Sequence, residues 1–224
     1  MDNTEFTLLK DSNIHMYIWN HKDINRNCQV NPFPVGSMGE KVNIIDDFFD
    51  IKDFDLIIEK IKNIQYICKC VHNHNSAIRN DIPYWRVDLS EDIFFTDYLS
   101  TIINHKLNTN YKLKRVYITS QTYEQNSNYH IDCTSSTSIT ICLYISSSDI
   151  IKTYNHFTHF DIEPSVNISN SGYIYIKFPN NNIMTIESNS NRLVSFPSTY
   201  YHKGEASCND NLRICIAWKF ENVL

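Results

Sequence analysis

The sequence predicts a mainly β fold with flanking helices, a sandwich or jelly roll, from three observations. From Leu113 onward the chain falls into short β-prone runs, 113–119, 129–133, 138–145, 172–178, 183–186, 192–196 and 212–220, separated by Asn, Ser, Gly and Pro. Many short strands with turn signals between them fold as packed antiparallel sheets. Upstream, two segments repeat apolar residues at helical spacing and supply a supporting layer. A length of 224 residues, with 42% apolar and 20% charged side chains, suits one globular domain able to bury a sizeable core.

Residues 1–40 read as an N-terminal arm and 41–224 as the body. The arm has little periodicity and ends in a turn-rich stretch, 31–39, that holds Gly36 and Gly39, half of the chain's four glycines. Tyr17 and Trp19 within it suggest that the arm packs onto the body. A short strand over 42–45 leads into a helix with Phe54, Ile57, Ile58, Ile61 and Ile64 on one stripe and Asp53 as the expected N-cap. Cys68, Cys70, His72 and His74 imitate a metal motif. In a strand, however, they spread over roughly 20 Å, too far to converge on one ion. Ser90 is the expected cap of a second helix, running to about His105, with Phe94, Phe95, Tyr98, Leu99, Ile102 and Ile103 at helical spacing.

Net charge is −5 and the isoelectric point is near 6.0, so no global field draws the protein to nucleic acid or to an anionic membrane. The polar start, Met1 to Glu5, lacks the basic and apolar regions of a secretory signal. No apolar run approaches the ~18 residues of a spanning helix. The expectation is a cytoplasmic, soluble protein. Seven scattered cysteines do not form a disulfide framework; Cys142 and Cys215 fall inside apolar strands and act there as small hydrophobes.

The chemistry centres on Tyr129-His130-Ile131-Asp132. In a strand, His130 and Asp132 face the same way at roughly 6 to 7 Å. An imidazole and a carboxylate joined by a second imidazole form the facial triad that holds non-haem Fe(II) and leaves opposite positions open. An apolar β-branched run, 138–145, follows this His-x-Asp and carries Tyr144. Further on come 191–197, His202, and Arg213 at the head of the last apolar strand, 11 positions (213 − 202) beyond His202. A buried guanidinium there requires an anionic partner, either a ligand carboxylate or a structural Asp or Glu. A second His-x-Asp, His159 to Asp161, offers a competing triad, only 43 residues (202 − 159) before His202. It lies in a long loop, 146–171, expected over the mouth of the site, with His156, Phe157 and Phe160 toward substrate.

This ordered set resembles the 2-oxoglutarate/Fe(II)-dependent dioxygenases, and within them the prolyl-4-hydroxylase-like branch, over about 42–220. The resemblance implies a double-stranded β-helix, the cupin-like jelly roll. His130, Asp132 and His202 would be iron ligands, Arg213 would bind the distal carboxylate of 2-oxoglutarate, and Tyr144 and Tyr123 would be phenols reaching the same carboxylate. Fe(II), 2-oxoglutarate and O2 are the implied cofactor and co-substrates, with ascorbate an optional extra. The implied reaction is hydroxylation with release of succinate and CO2, on a peptide side chain, proline in this branch, or on a small molecule. Similar folds also act on alkylated bases, against which the acidic balance argues. The chain departs from the family pattern at Gln125 to Asn128, where many members place Gly, and at Cys215, where some carry Ser. A jelly-roll binding protein without turnover and a cupin-like metalloenzyme needing no oxo acid are the rival readings.

Overall fold

A computed structural model describes residues 17–19, 42–64, 67–69, 84–122, 125–146, 149–150, 172–207 and 212–223. The strands are β1 (Tyr17–Trp19), β2 (Asn43–Ile45), β3 (Ile67–Lys69), β4 (Tyr84–Asp88), β5 (Tyr111–Gln121), β6 (Ser138–Ser146), β7 (Tyr173–Lys177), β8 (Ile183–Glu187), β9 (Leu193–Pro197), β10 (Tyr201–Glu205) and β11 (Arg213–Asn222). They form a seven-stranded sheet in the order β2-β9-β6-β11-β5-β4-β3 and a four-stranded sheet in the order β1-β8-β7-β10. All pairings are antiparallel. This is the jelly-roll architecture expected from the strand pattern. Of the arm, β1 is described and adds an edge strand beside β8.

Alternation along the central strands divides the interior into two cores. On β11, Ile214, Ile216, Trp218 and Phe220 join Ile141, Leu143 and Ile145 of β6 under the helices. The opposite parity, Cys215 and Ala217 with Cys142 and Tyr144, faces the four-stranded sheet and packs on Ile174, Ile176, Met184 and Phe196. Burial on both faces explains why β6 and β11 read as nearly unbroken apolar runs. It also buries Cys142 and Cys215, as expected.

The helical layer comprises α1 (Ile51–Lys62) and a π-helical turn, Phe94–Tyr98, running into α2 (Leu99–Leu107). Ile57, Ile58 and Ile61 of α1 and Phe95, Leu99 and Ile103 are buried against the large sheet, and Phe54, Ile64, Phe94 and Ile102 pack at the margin. Trp218 donates its indole N–H to the Phe95 carbonyl at 3.0 Å, pinning the π turn to β11. Two capping expectations are corrected. The N-cap of α1 is Asp50, which accepts from the Asp53 N–H at 2.9 Å. Asp53 is buried one turn in and accepts from the Tyr98 hydroxyl. Ser90 lies in the turn after β4, and it is Asp92 that accepts from the Phe94 N–H. In both places an Asp, with its short carboxylate, answers orphan amides of the first turn. No helix of the described residues is long and apolar enough to cross a membrane.

Candidate metal and anion site

His130 and Asp132 do not lie in a regular strand, contrary to the expected run over 129–133. Residues 125–137 are irregular, and His130 forms an isolated antiparallel bridge with His202, which sits on β10, not in a loop. The bridge exchanges two backbone hydrogen bonds, His130 N–H to His202 O at 3.0 Å and His202 N–H to His130 O at 2.9 Å. The Asp132 amide then donates to Ser198 O at 3.0 Å. These contacts replace a ladder and still hold the segment extended along β10.

The bridge brings the two imidazoles to 4.4 Å between ring centres. Each ring donates its Nδ1 proton to the carbonyl two residues earlier, His130 to Asn128 O and His202 to Tyr200 O, both at 2.9 Å. A bond of this kind fixes tautomer and orientation and leaves the Nε2 lone pair free to ligate. The Asp132 carboxylate lies between the two Nε2 atoms, Oδ2 at 3.3 Å from His202 and Oδ1 at 3.9 Å from His130. All three ligand atoms fall within 4.8 Å of one another, and they are the only such metal-binding group among the described residues.

The protonation states suit a cation. Burial and the neighbouring His202 push the His130 imidazole down to about 4, so it is neutral at pH 7. Burial opposes ionisation of Asp132, but the Lys219 ammonium and His202 outweigh it and hold the carboxyl well below its usual range. Lys219 donates to Asp132 Oδ2. Burial works against its charge, yet the Tyr117 phenol and Asp132 carboxylate keep its pKa raised. Thr140 donates to the same oxygen at 2.7 Å. With Oδ2 held by Lys219 and Thr140, Oδ1 is the oxygen left to a metal.

Arg213 is buried at the head of β11 on the same face as Lys219. Its Nε donates to Ser188 Oγ at 3.0 Å and one Nη to Gln121 Oε1 at 2.7 Å. Among the described residues no carboxylate lies within ion-pair distance of it, so the structural Asp or Glu weighed from sequence is not found. The guanidinium stands 5.0 Å from the Tyr144 ring. Among the described residues the buried Tyr144 hydroxyl has no N or O partner; it lies next to the Cys142 thiol, and burial raises its pKa. Gly204 makes room for this group: a Cβ there would stand 3.0 Å from Arg213 Nη1 and 3.1 Å from Gln121 Oε1. Since Gly204 is two residues beyond His202 on one face of β10, the guanidinium lies about 7 Å along the strand from the imidazole.

A cavity joins these groups, lined by Tyr117, His130, Tyr144, His202, Arg213 and Lys219 among others. A larger cleft of about 800 Å³ lies on the outer face of the four-stranded sheet, by Tyr175, Tyr201 and Lys203. Tyr201 and Lys203 have the opposite parity to His202, which directs that cleft away from the triad.

Three solved structures share the arrangement of strands. A Pseudomonas putida prolyl-4-hydroxylase aligns at TM-score 0.54 and 10% identity, over 83% of this chain and 94% of its own. A prolyl hydroxylase from Trichoplax adhaerens, in complex with a hypoxia inducible factor oxygen degradation domain peptide fragment, aligns at 0.53 and 14%, over 80% and 83%. A 2OG-Fe(II) oxygenase family oxidoreductase from Burkholderia pseudomallei aligns at 0.56 and 8%, over 81% and 87%. The fold is that of the 2OG-Fe(II) oxygenases. No protein-family model matches the sequence, and no curated protein matches it.

Of the sequence-derived site residues, His130, Asp132 and His202 come together and Arg213 and Tyr144 meet beside them. Tyr123, the competing His159 and Asp161, His156, Phe157, Phe160, Cys70, His72 and His74 lie outside the described residues, as does most of the 146–171 loop. Sequence reasoning missed Gln121, Ser188, Thr140 and Lys219. Lys219 was detectable: it shares parity with Arg213 in an apolar strand, where a lysine needs a buried partner. The polar stretch that replaces the family's Gly also has a task. Ser127 exchanges hydrogen bonds with Gly204, amide to carbonyl at 2.9 Å and Gly204 amide to Ser127 Oγ at 2.7 Å.

Proposed function

We propose that the chain is an Fe(II)- and 2-oxoglutarate-dependent dioxygenase that hydroxylates a peptidyl, prolyl in the first instance, or small-molecule substrate with release of succinate and CO2. The observation that carries this reading is the pairing of a two-histidine, one-carboxylate cluster with a buried guanidinium that, among the described residues, has neutral partners and lines the same cavity. The residues fit the implied groups. Two oriented imidazoles and a carboxylate are the donor set of a non-haem ferrous site. An arginine fork and an unpaired phenol fit the distal carboxylate of a five-carbon dicarboxylic acid.

His130, Asp132 and His202 would hold the iron, Asp132 through Oδ1. Bound there, ferrous iron would supply the O2 chemistry, with the oxo acid as a two-electron reductant. The protein's own residues bind and orient. Arg213 and Tyr144 fix one end of the co-substrate so that its reactive end lies toward the triad. Ser188 and Gln121 hold the guanidinium fork in place, and the two apolar sheets exclude water from the space between.

Succinate formation from 2-oxoglutarate under air with added Fe(II) tests the reading, with loss expected in His130→Ala, Asp132→Ala and His202→Ala. Thermal stabilisation by 2-oxoglutarate with Mn(II) is its equilibrium counterpart, about 2.7 kcal/mol at a ligand concentration 100 times Kd. No shift at saturating ligand would remove the co-substrate. The Lys219 ammonium on Asp132 favours one second reading, a binding protein without turnover. A tight metal complex that never releases succinate would establish it.

A further inference from the structure

The concave face of the large sheet continues beyond the triad onto β5 and β4, and there it becomes basic. Tyr117 of β5 carries the Arg86 guanidinium 4.0 Å from its ring centre, that of Arg115 at 4.8 Å and the Lys219 ammonium at 5.4 Å. Lys219 is matched by Asp132. Among the described residues, neither arginine lies within ion-pair distance of a carboxylate, and one terminal nitrogen of Arg86 is buried without a hydrogen-bond partner. The carboxylate on the same face, Asp88, accepts from the Ser90 amide. Arg115 stands directly opposite Lys219 in the β5–β11 register, a like-charge pairing that costs stability. A chain of net charge −5 thus gathers three cations around one phenol beside its cavity, and the described residues match one of them with a carboxylate.

We infer that Arg86 and Arg115 form a substrate subsite for a carboxylate, and that the substrate is a peptide with an acidic residue near the position hydroxylated. The inference rests on the function proposed above for where the reacting group lies. Two guanidiniums braced on a ring offer planar forks that match a carboxylate in two-point contact. Neighbouring strands are about 5 Å apart, so Arg115 lies one strand, and Arg86 two, from the β11 lysine that touches Asp132. An extended peptide advances about 3.3 Å per residue, which puts the acidic side chain two to four residues from the reacting one. Tyr84 and Thr119 line the cavity between the triad and this shelf.

The test uses the full chain with Mn(II) and N-oxalylglycine, and fluorescent proline-centred peptides carrying Glu two to four residues to either side, each against its Gln counterpart. The Glu peptide is expected to bind at least tenfold tighter. Arg86→Gln and Arg115→Gln should each remove most of that preference, and Arg115→Glu should transfer it to a Lys peptide. Equal affinity for the Glu and Gln peptides would overturn the inference. So would equal weakening of both by the variants, which would mean the arginines serve packing alone. Tighter binding of a single-stranded oligonucleotide, lost in the same variants, would overturn the peptide class. Repeating the titration without Mn(II) and N-oxalylglycine keeps the two readings apart. Glu-over-Gln preference that persists while 2-oxoglutarate fails to stabilise the protein would sink the oxygenase reading and leave the anion subsite standing.

Discussion

Arg192 and Arg213 are both buried guanidiniums at the start of a strand, and their surroundings differ in one respect. Arg192 donates Nε and Nη2 to the two carboxylate oxygens of Asp46, at 2.5 and 2.9 Å, and Nη1 to the Glu187 carbonyl. Arg213 has a serine hydroxyl, an amide oxygen and a phenol ring. A fully buried charge without a counter-charge is costly, so natural proteins supply one. Where the fold has done so the arginine is structural; for Arg213, which has no carboxylate partner among the described residues, the proposed function assigns the counter-charge to a ligand. Both are buried, so it is partner chemistry that separates the fold-holding Arg192 from Arg213, for which we propose a ligand.

The largest expected effect breaks the structural half of this comparison. Asp46→Ala leaves the Arg192 guanidinium buried and unpaired, and should cost about 3 to 5 kcal/mol. Denaturant unfolding measures it directly, and a fall in Tm of about 10 °C should accompany it. Arg213→Met breaks the other half. It removes a charge that no described residue matches, so stability should change by no more than about 1 kcal/mol while 2-oxoglutarate affinity drops about 100-fold. Calorimetric titration and unfolding on the same preparation check both numbers. Should Arg213→Met unfold the chain as Asp46→Ala does, the two arginines are alike and the distinction is wrong.

Acid sharpens the comparison from another side, because guanidiniums keep their protons throughout and the triad does not. His130 titrates at about 4 in the folded chain against about 6.5 when unfolded. The unfolded state therefore takes up the proton first. The stability this residue contributes is complete above about 6.5 and is lost as pH falls toward 4. Asp132, held low in the folded state, adds a loss in the same direction below its usual carboxyl range. The metal-free protein should lose Tm steadily between pH 6.5 and 4, and His130→Gln should flatten that part of the profile. An unchanged slope in the variant would show that His130 is not the group responsible.

How far the sequence led follows the same physics. Residues that act through burial and period were readable: the stripes on both helices, the two thiols, and the apolar runs of β6 and β11. The triad was readable because three ligands of two types fell in an order that few other chemistries demand. Gln121, Ser188 and Thr140 were not, since an amide or hydroxyl becomes specific only when another strand brings a charge beside it. The missed partnership of Arg192 with Asp46 spans 146 positions, and nothing local marks either residue. The strand expected at 129–133 failed for a related reason. Its extended shape comes from single contacts to His202 and Ser198, distant partners that no local run of β-prone residues reveals. Asp53 and Ser90 as caps failed more simply, by three and two positions, where a nearby Asp held the better position.

The smallest expected effect falls on Tyr144, whose hydroxyl is buried without an N or O partner among the described residues and whose ring centre lies 5.0 Å from the Arg213 guanidinium. Unlike the guanidinium it is neutral, so leaving it unmatched costs about 1 to 3 kcal/mol, and replacing it with hydrogen recovers part of that. Tyr144→Phe should therefore raise stability slightly, by up to about 1 kcal/mol, and weaken 2-oxoglutarate by about three- to tenfold, the worth of one hydrogen bond to a charged acceptor. Opposite signs in the two measurements are what a ligand-directed hydroxyl gives and a packing residue does not. Parallel losses of stability and affinity would place the phenol with Arg192 among the groups that hold the fold, and would leave the distal carboxylate to Arg213 alone.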